Sequence, residues 1–456
     1  MFHQPIVAAG VSDLQVMPLG DVLASFSYAL DLTEGQPPGH SLRATWVALS
    51  VARQLGLSEA EQRDVFYATL LKDLGCSANA ARVAEIYGAD DHAFKHDWKR
   101  IGTGLLPTLG FVLGATAKGQ PLPARAASVA RILLNGDTLA QELIETRCSR
   151  GAGIARRLRF GEEVALAIHA LDEHWDGSGR PDGLQGEAIP LGARLALLGQ
   201  VVDVFHAAGG PDAALREARA RAGRWFDPRL VAAFEHVAAE PGFWRTLASP
   251  VLEGMLMAEA PAREAVLVDE AYLDDIAAAF GEVVDAKSPY TAGHSQRVGA
   301  YAERMGRDLS IRPDRLRWLR RGALLHDIGK LGVSSAILEK PGKLDEAEWA
   351  QMRDHARHTA EVLGRIAPFE ELAPIAAAHH ERPDGAGYPL RLGEQAIPLE
   401  TRIITACDIW DALTADRPYR AALPPAEALA IMERGVGPQI DGDCFEALRA
   451  AARELG

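Results

Sequence analysis

Histidines and aspartates cluster in the second half of the chain, at the ends of segments with helical periodicity. They are His294, His326, Asp327, His355, His379, His380 and Asp408. Five imidazoles and two carboxylates suit a dinuclear site for a borderline metal such as iron, manganese or zinc. Two metal ions roughly 3.5–4 Å apart can hold a bridging hydroxide and stabilise the attacking and leaving oxygens of phosphoester hydrolysis. The cluster therefore predicts metal-dependent hydrolysis without a side-chain nucleophile.

Each element of this cluster is weak evidence when it is taken alone. A single His-Asp pair such as His326-Asp327 is usually capped or solvated, and the adjacent His379 and His380 could equally lie on a helix surface. The co-occurrence of "HDIGK" and "HHERPDGAGYP" at a spacing typical of one domain favours a site.

The composition limits the class of protein. The chain has 456 residues with 48% apolar content, enough for two domains with cores, and its formal net charge is -14 without a long basic run. This charge argues against nucleic-acid polymers and anionic membranes as partners. No apolar stretch is long enough for a membrane span, and the first residues do not resemble a signal peptide. Four scattered cysteines fit free thiols in a reducing compartment, so we expect a cytoplasmic protein.

An internal repeat sets the organisation of the chain. "GHSLR" and "LLKDLG" recur as "GHSQR" and "LLHDIG" at an offset of 254, and "DGSGRP" recurs as "DGAGYP" at an offset of 208. The difference of 46 residues indicates an insertion in the first copy, near 76–146. Apolar residues at helical spacing predict an all-α fold. We therefore predict two related helical domains, at 1–245 and 266–456.

The segment from about 270 to 450 resembles an HD-GYP domain, a branch of the HD phosphohydrolase superfamily. The matching motifs are "GHSQRV", "LLHDIGKLGV", "ILEKPGKLDEAEWAQMRDH", "HHERPDGAGYP" and "CDIWDALTADRPYR". The resemblance implies tandem HD-type helical bundles, of which the second hydrolyses cyclic di-GMP to linear pGpG, GMP or both.

The resemblance also implies roles for individual residues. His294, His326, Asp327 and Asp408 would hold one metal ion, and Asp327 would bridge to a second ion held by His355, His379 and His380. The two divalent ions would be iron or manganese. Asp327 and Lys330 would be the catalytic residues. The substrate would be bound by Lys330, Arg417, Arg420 and Tyr388, although the two arginines could also lie in a solvated loop.

Three positions depart from the family pattern. Tyr290 stands where members with a third metal place a glutamate, so we expect two ions. Thr359 replaces a glycine that usually follows the third ligand histidine. Cys407 replaces an alanine beside Asp408, and we expect a buried thiol without a role in catalysis.

The first copy keeps His40 and Asp73 but has lost the other ligands. The two offsets place Lys72, Cys76, Arg147, Leu171, Asp172 and Gln200 at the positions of His326, Lys330, His355, His379, His380 and Asp408. Permanent cations at ligand positions exclude a divalent ion, so we predict an inactive domain that packs on the catalytic one. A regulatory pocket for an anionic ligand, lined by Lys72 and Arg147, is the alternative. His92 and His96 in the insertion have helical metal-site spacing but lack a third ligand, which favours a solvated segment.

Other functions fit the same motifs. A 3',3'-cyclic GMP-AMP phosphodiesterase is the first alternative, because no motif residue distinguishes adenine from guanine. A non-catalytic signalling module, binding cyclase proteins of the GGDEF type, would have little need for an intact ligand set. A phosphohydrolase of another nucleotide fits the glycine-rich loop less well.

Overall fold

The structure, a computed structural model, describes residues 17–100, 105–117, 121–259, 261, 267–416 and 420–455. The chain divides into two units. The first comprises Met17–Val268 with Ser334–Ala336, and the second comprises Asp269–Val333 with residues 337–455. Helices dominate both units, which confirms the all-α prediction.

The first unit contains twelve helices and a pair of two-residue strands in the part of the chain that is described. Strands β1 (Met17–Pro18) and β2 (Leu267–Val268) are antiparallel, with Met17 opposite Val268. The helices are α1 (Leu19–Thr33), α2 (His40–Gln54), α3 (Glu59–Leu70), α4 (Ala80–Tyr87), α5 (Asp91–Trp98), α6 (Leu105–Ala115), α7 (Leu122–Arg157), α8 (Glu162–His169), α9 (Leu191–Arg221), α10 (Pro228–Ala238), α11 (Phe243–Leu247) and α12 (Leu252–Glu259). Short 3-10 helices span Cys76–Asn79 and Gly186–Ala188.

The remaining helices follow after residue 269. They are α13 (Glu270–Asp285), α14 (His294–Asp308), α15 (Pro313–Leu325), α16 (Ser335–Leu338), α17 (Glu346–Leu363), α18 (Leu372–Ala377), α19 (Leu399–Thr414), α20 (Pro425–Glu433) and α21 (Gly442–Leu455). Short 3-10 helices span Pro289–Thr291, Ile328–Gly332, Ala367–Phe369 and Glu394–Ala396. Each unit has its own core, with Phe26 and Phe66 fully buried in the first and Phe280 and Phe369 in the second.

The helix boundaries repeat as the sequence offsets predict. Helices α2 and α14 begin at residues 254 apart, and α9 and α19 begin at residues 208 apart. Both α2 and α14 follow a glycine with positive φ, 82° at Gly39 and 72° at Gly293. A left-handed residue there favours glycine and turns the chain so that a histidine occupies the first helical position.

The insertion of the first copy is helical rather than a solvated segment. Helices α4, α5, α6 and the start of α7 form an apolar cluster that includes the buried residues Ile86, Phe94 and Ile132. Helix α5 also buries Asp91 and Lys95. The expectation of a solvated segment around His92 and His96 was therefore wrong, because one face of α5 packs inward.

Helix α9 is long and apolar enough, by composition, to cross a membrane. It has 31 residues and a window of mean hydropathy 1.2, of which 61% is buried inside the structure. Its backbone leaves helical geometry at Gly209 and Gly210, directly before Pro211. The apolar composition is explained by packing in the core of the first unit.

Candidate metal centre

The predicted ligands of the second copy come from five helices and converge in one buried site. They are His294 at the start of α14, His326 and Asp327 directly after α15, His355 in α17, His379 and His380 after α18, and Asp408 in α19. Helix α17 begins with a capping box in which Asp345 and Glu348 each accept from the other's backbone N–H, at 2.9 and 2.8 Å. Local sequence thus fixes where the helix that carries His355 begins.

Four of these residues form a first ligand group. The Nε2 atom of His294 lies 3.3 Å from Nε2 of His326, 3.5 Å from Oδ2 of Asp327 and 3.6 Å from Oδ1 of Asp408. The ligand atoms of all four lie within 4.8 Å of one another. This is the set that the family resemblance assigned to one metal ion.

His355, His379 and His380 form a second group. The other carboxylate oxygen of Asp327, Oδ1, lies 3.7 Å from Nε2 of His355 and 3.6 Å from Nε2 of His379. This Oδ1 is buried and has no hydrogen-bond donor among the described residues. Asp327 therefore presents one oxygen to each group, which is the arrangement that a bridging ligand needs.

The histidine orientations also fit metal ions. The Nδ1 atoms of His326, His355 and His379 lie 2.8, 2.5 and 2.6 Å from the carbonyl oxygen three residues earlier in each case. Nδ1 of His294 lies 2.7 Å from Oδ2 of Asp411. Each Nδ1 is thus placed to donate a proton, which leaves Nε2 as the ring nitrogen that is directed into the site. With an unpaired buried oxygen on Asp327, the residues fit a pair of divalent cations.

Burial and charge set the ionisation of the ligands. Burial lowers the pKa of His355 to about 4 and that of His379 to about 3, so both imidazoles are neutral near pH 7. Burial opposes the charged form of Asp327, but Lys330 and His326 outweigh it and hold its pKa well below the usual range. Burial likewise opposes the charged form of His294, yet Asp327 and Asp411 raise its pKa to about 9. His355 and His379 are therefore neutral imidazoles and Asp327 is an ionised carboxylate, the forms that bind metal, whereas His294 would release its second ring proton when a metal ion binds.

Lys330 and Tyr388, two of the predicted substrate-binding residues, line a cavity of about 720 Å³ beside the ligand groups. Lys330 forms an ion pair with Oδ2 of Asp327. The ring of Tyr388 lies 4.7 Å from that of His380, measured between centroids. Tyr290, at the position of the absent third-metal glutamate, also lines this cavity.

Arg420 makes contacts within the protein that the sequence did not predict. Its guanidinium donates to the carbonyl oxygens of Leu413 and Ala412 at 3.0 and 2.7 Å, at the end of α19. The last carbonyls of a helix lack partners within it, and a nearby arginine can satisfy them. Arg420 is thus neither in a solvated loop nor directed at a phosphate by these contacts. Arg417 lies outside the described residues.

Sequence reasoning missed the residues behind His294. Asp411 accepts from His294 and is held in turn by Arg297, whose Nε lies 2.5 Å from Oδ1. The first copy has the same arrangement, in which His40 donates to Asp203 at 2.7 Å and Arg43 contacts Asp203 at 2.6 Å. The repeat was the signal that could have found both pairs.

A second residue that sequence reasoning missed explains why the Asp-Gly-x-Gly-x-Pro loop occurs in both copies. The carboxylate of Glu381 accepts from the backbone amides of residues 390–392 at 2.5 to 3.1 Å. Glu173 accepts in the same way from residues 182–184 at 2.6 to 3.0 Å. The shared glutamate thus fixes the loop in both copies, whether or not histidines precede it.

A glycine inside this loop is required by close packing. A Cβ atom added to Gly387 would lie 2.5 Å from the backbone nitrogen of Arg382, and one added to Gly179 would lie 2.2 Å from that of His174. The loop folds back on its own start in both copies, so the glycine is structural.

The two other departures from the family pattern have structural roles. The hydroxyl of Thr359 donates to the carbonyl oxygen of His326 at 2.9 Å and accepts from the backbone N–H of Gly329 at 3.0 Å. These bonds connect α17 to the turn that carries His326 and Asp327. Cys407 is fully buried, with its sulfur 3.4 Å from that of Met305. The expectation of a buried thiol is confirmed, and all four cysteines are free.

In the first copy, lysine and arginine side chains lie where the second copy has its metal-ligand groups. Lys72 pairs with Asp73, and Arg147 pairs with Asp172. Lys99 of the insertion reaches the same place, with its Nζ 2.6 Å from Oε2 of Glu34.

The remaining residues of the first-copy site join this network. Nζ of Lys99 lies 3.3 Å from Oε1 of Gln200, and Nζ of Lys95 lies 3.4 Å from Oε1 of Glu34. Glu34, Asp73 and Cys76 are close enough to hold a metal ion. However, the ammonium groups of Lys72 and Lys99 already lie at these carboxylates. The cations that the sequence suggested for an anionic ligand are therefore engaged by acidic residues of the protein.

Comparisons with known proteins agree with this geometry. A family model described as "HD domain" matches residues 127–230 and 279–444. A Vibrio cholerae protein named 3'3'-cGAMP-specific phosphodiesterase 3 is 51% identical over 96% of this chain and 95% of its own length. The cyclic di-GMP phosphodiesterase response regulator RpfG of Xanthomonas campestris is 38% identical over 36% of this chain and 44% of its own.

A solved structure supports the same relationship. A crystal structure described as a cyclic GMP-AMP specific phosphodiesterase of V. cholerae has a TM-score of 0.66 at 47% identity, covering 97% of this chain and 99% of that one. The HD family model matches within both copies of the repeat and spans more than half of the sequence. The chain therefore belongs to the HD-domain family, in its HD-GYP phosphodiesterase branch.

Proposed function

We propose that the protein hydrolyses 3',3'-cyclic GMP-AMP at the metal centre of its second unit, and that its first unit has no catalytic role. The observation that carries the activity is the position of Asp327, which offers one carboxylate oxygen to each of two complete ligand groups. A purely binding module would have no need for seven converging ligands, most of them buried, in this arrangement.

The choice of substrate rests on the relatives. The sequence motifs placed cyclic di-GMP first and cyclic GMP-AMP second. A relative that matches nearly the whole chain at 51% identity is named for 3'3'-cGAMP, whereas RpfG, which is named for cyclic di-GMP, matches 36% of the chain at 38% identity. The comparison supports cyclic GMP-AMP as the preferred substrate, ahead of cyclic di-GMP.

Residues of the chain position the reacting groups. The metal ions would activate water and neutralise charge on the cleaved phosphate. Asp327 and Asp408 would help to hold these ions, and the Nδ1 contacts of His326, His355 and His379 keep these three ligands in one orientation. Lys330 lines the cavity beside Asp327 and can donate to a phosphate oxygen as charge develops. Tyr388 forms part of the same wall.

We propose iron or manganese as the two divalent ions. Imidazole and carboxylate ligands serve both metals, and the groups contain no cysteine, which would favour a softer ion. Metal analysis after anaerobic loading with each ion identifies which one supports activity.

The decisive experiment gives the protein both substrates at once. Anaerobically purified, iron- or manganese-loaded protein is incubated with equimolar cyclic GMP-AMP and cyclic di-GMP, and the linear products are separated by chromatography. We expect faster loss of cyclic GMP-AMP, and loss of both reactions in His355→Ala. Faster loss of cyclic di-GMP would restore the order that the motifs suggested. No product from folded, metal-loaded protein would refute the phosphodiesterase assignment for both substrates.

The cytoplasmic location and a GGDEF-type partner stay predictions. Chromatography of the same reaction also shows whether one or both phosphodiester bonds are cut.

A further inference from the structure

The cavity beside the metal centre extends beyond the ligand groups. Its volume is about 720 Å³, within the range of roughly 300–1,000 Å³ that is common for small-molecule sites. Its wall includes His294, Asp327 and His355, but also residues of the segment 337–344 and of α17. All of the lining residues belong to the second unit. A cyclic dinucleotide has two phosphates, and the metal ions can engage the one that is cleaved. The other phosphate and the bases need contacts elsewhere in the cavity.

Four of the lining residues are lysines, and one of them has no acceptor. Three already donate to groups of the protein: Lys287 to the carbonyl oxygen of Leu331, Lys330 to Asp327, and Lys340 to the carboxylate of Glu348. Lys343 is exposed and makes no hydrogen bond or ion pair with any residue that the structure describes. The ammonium group of Lys343 is therefore available, and its charge suits an anionic group of the substrate.

An exposed tryptophan lies on the same wall. Trp349, Met352 and His355 follow one another at three-residue steps on α17, so they share a face of the helix, and Trp349 is about 9 Å from His355 along its axis. Trp349 is 44% exposed. The guanidinium of Arg353 lies 5.6 Å from the ring centroid of Trp349, and the ring has no aromatic neighbour among the described residues.

The comparison with Trp98 shows why this exposure matters. Trp98 is also 44% exposed, but its ring packs against Phe94 and Phe111 at centroid distances of 5.9 and 5.6 Å. Trp349 has no aromatic neighbour of this kind among the described residues, and the exposed part of its indole can stack on a nucleobase.

We propose that Lys343 and Trp349 form an outer subsite for the half of the dinucleotide that is not cleaved. Lys343 binds the phosphate that stays intact, and Trp349 stacks on a purine base. This inference rests on the proposed function, since it assumes a substrate with two phosphates. It predicts that these residues act on affinity, while the metal ligands act on the chemical step.

The test compares two competitive inhibitors of cyclic GMP-AMP hydrolysis by the metal-loaded, full-length protein. One is linear pGpA, which has a 5'-phosphate and an intact phosphodiester, and the other is 5'-GMP, which has the 5'-phosphate alone. For Lys343→Gln we expect KM to rise about tenfold with kcat changed less than about twofold, because a contact away from the reacting phosphate contributes equally in ground and transition state. The advantage of pGpA over 5'-GMP in inhibition constant should fall by a similar factor. Lys343→Arg should restore most of it.

Two further variants separate this subsite from general effects. Arg434→Gln removes an exposed positive charge, without an ion-pair partner among the described residues, from the end of α20 outside the cavity lining, and should leave KM and the inhibitor ratio unchanged. Trp349→Ala should raise KM about tenfold, and Trp349→Phe should keep most of the affinity.

The outcomes distinguish the subsite from the proposed function. Hydrolysis by the wild type with the same kinetics in Lys343→Gln and Arg434→Gln would overturn the subsite and leave the enzyme assignment intact. A loss of kcat rather than of KM in Lys343→Gln would also overturn it. Absence of hydrolysis by the wild type would remove both proposals.

Discussion

The two copies of the domain each bury an aspartate at the equivalent position, but different groups surround it. In the second copy, Asp327 faces two groups of metal ligands. In the first copy, Asp73 occupies the equivalent position and faces the ammonium groups of Lys72 and Lys99, the latter at 3.9 Å. A buried carboxylate is costly unless a cation compensates it. In the first copy lysines meet this need, whereas the second copy combines Lys330 with two ligand groups that fit metal ions, which supports our proposal that only the second copy is catalytic.

What the copies share is therefore structural. Both keep the glycine before the first histidine, the aspartate and arginine behind that histidine, and the glutamate that holds the glycine-containing loop. None of these features selects a reaction, because function depends on the side chains that the scaffold presents.

The largest contrast is expected from the equivalent aspartates. Asp327→Ala should lower hydrolysis by at least about 10³-fold, because metal ions contribute several kcal/mol to the transition state and each 1.36 kcal/mol is a factor of ten. Asp73→Ala should leave kcat and the metal content unchanged. Product chromatography and elemental analysis of both variants check this.

Equal metal loss in the two variants would contradict the contrast between the copies. So would activity in Asp327→Ala that exceeds one hundredth of the wild type. Asp73→Asn serves as the milder control if Asp73→Ala does not fold, because the amide keeps the volume of the side chain.

The second prediction concerns the lysine that the insertion supplies. Lys99→Met should lower the free energy of unfolding of the first unit by about 3–5 kcal/mol, because it removes one partner from a buried ionic network and leaves Glu34 undercompensated. Arg100→Met changes the neighbouring exposed residue and should cost much less. Hydrogen exchange in α2 measures the loss.

Chelation sharpens the same contrast. Removing metal ions should lower protection in α14 and leave α2 unchanged, since we propose that metal ions bind only at the ligand groups of the second copy. Loss of protection in both helices would show that the first copy binds metal after all.

The metal centre was more predictable than the site that replaced it. His294, Asp327 and His379 could be assigned because the motifs around them resemble those of HD-GYP domains, and the structure brings the three side chains together. Lys99 could not be assigned, because the insertion has no counterpart in the second copy. Its contact with Gln200 spans 101 positions and depends on tertiary packing of α5. Helical periodicity gives no information about such a contact.

Arg420 and Glu381 show two further limits. The family resemblance implied that Arg420 binds phosphate, yet its guanidinium donates to the last carbonyls of α19, because helix carbonyls without partners compete for the same donors. Glu381 was visible as a residue shared by the two loops, but motif reasoning favoured the histidines beside it. Its role follows from backbone amides nine to eleven residues later, whose positions the sequence does not specify.

The stability of the first unit should depend on pH through His40. Burial, together with nearby Lys72, lowers the pKa of His40 to about 4 against the pull of Asp203. The folded state thus binds fewer protons than the unfolded state between about pH 6.5 and 4, so this histidine makes the first unit less stable as the pH falls through that range. The full shift corresponds to about 3 kcal/mol. His40→Gln removes the titrating group. The difference in free energy of unfolding between wild type and variant should therefore shrink toward pH 4. A constant difference, measured by urea unfolding with hydrogen exchange in α2, would show that His40 binds protons equally in the folded and unfolded states and that its pKa is not lowered.

The smallest expected effect comes from the loop glutamates, which have the same contacts in both copies. Glu381→Gln and Glu173→Gln should each lower the free energy of unfolding of their unit by about 1–3 kcal/mol, because a neutral amide accepts more weakly and with one oxygen only. Only Glu381→Gln should also lower kcat/KM, by about tenfold, since its loop carries Tyr388 and begins beside His380. Equal stability losses with unequal activity would show that the glutamate stabilises the loop in both copies. Catalysis would then depend on the other side chains that each loop carries. An equal loss of activity would instead mean that the first copy acts on the reaction, and its interpretation as an inactive scaffold would be wrong.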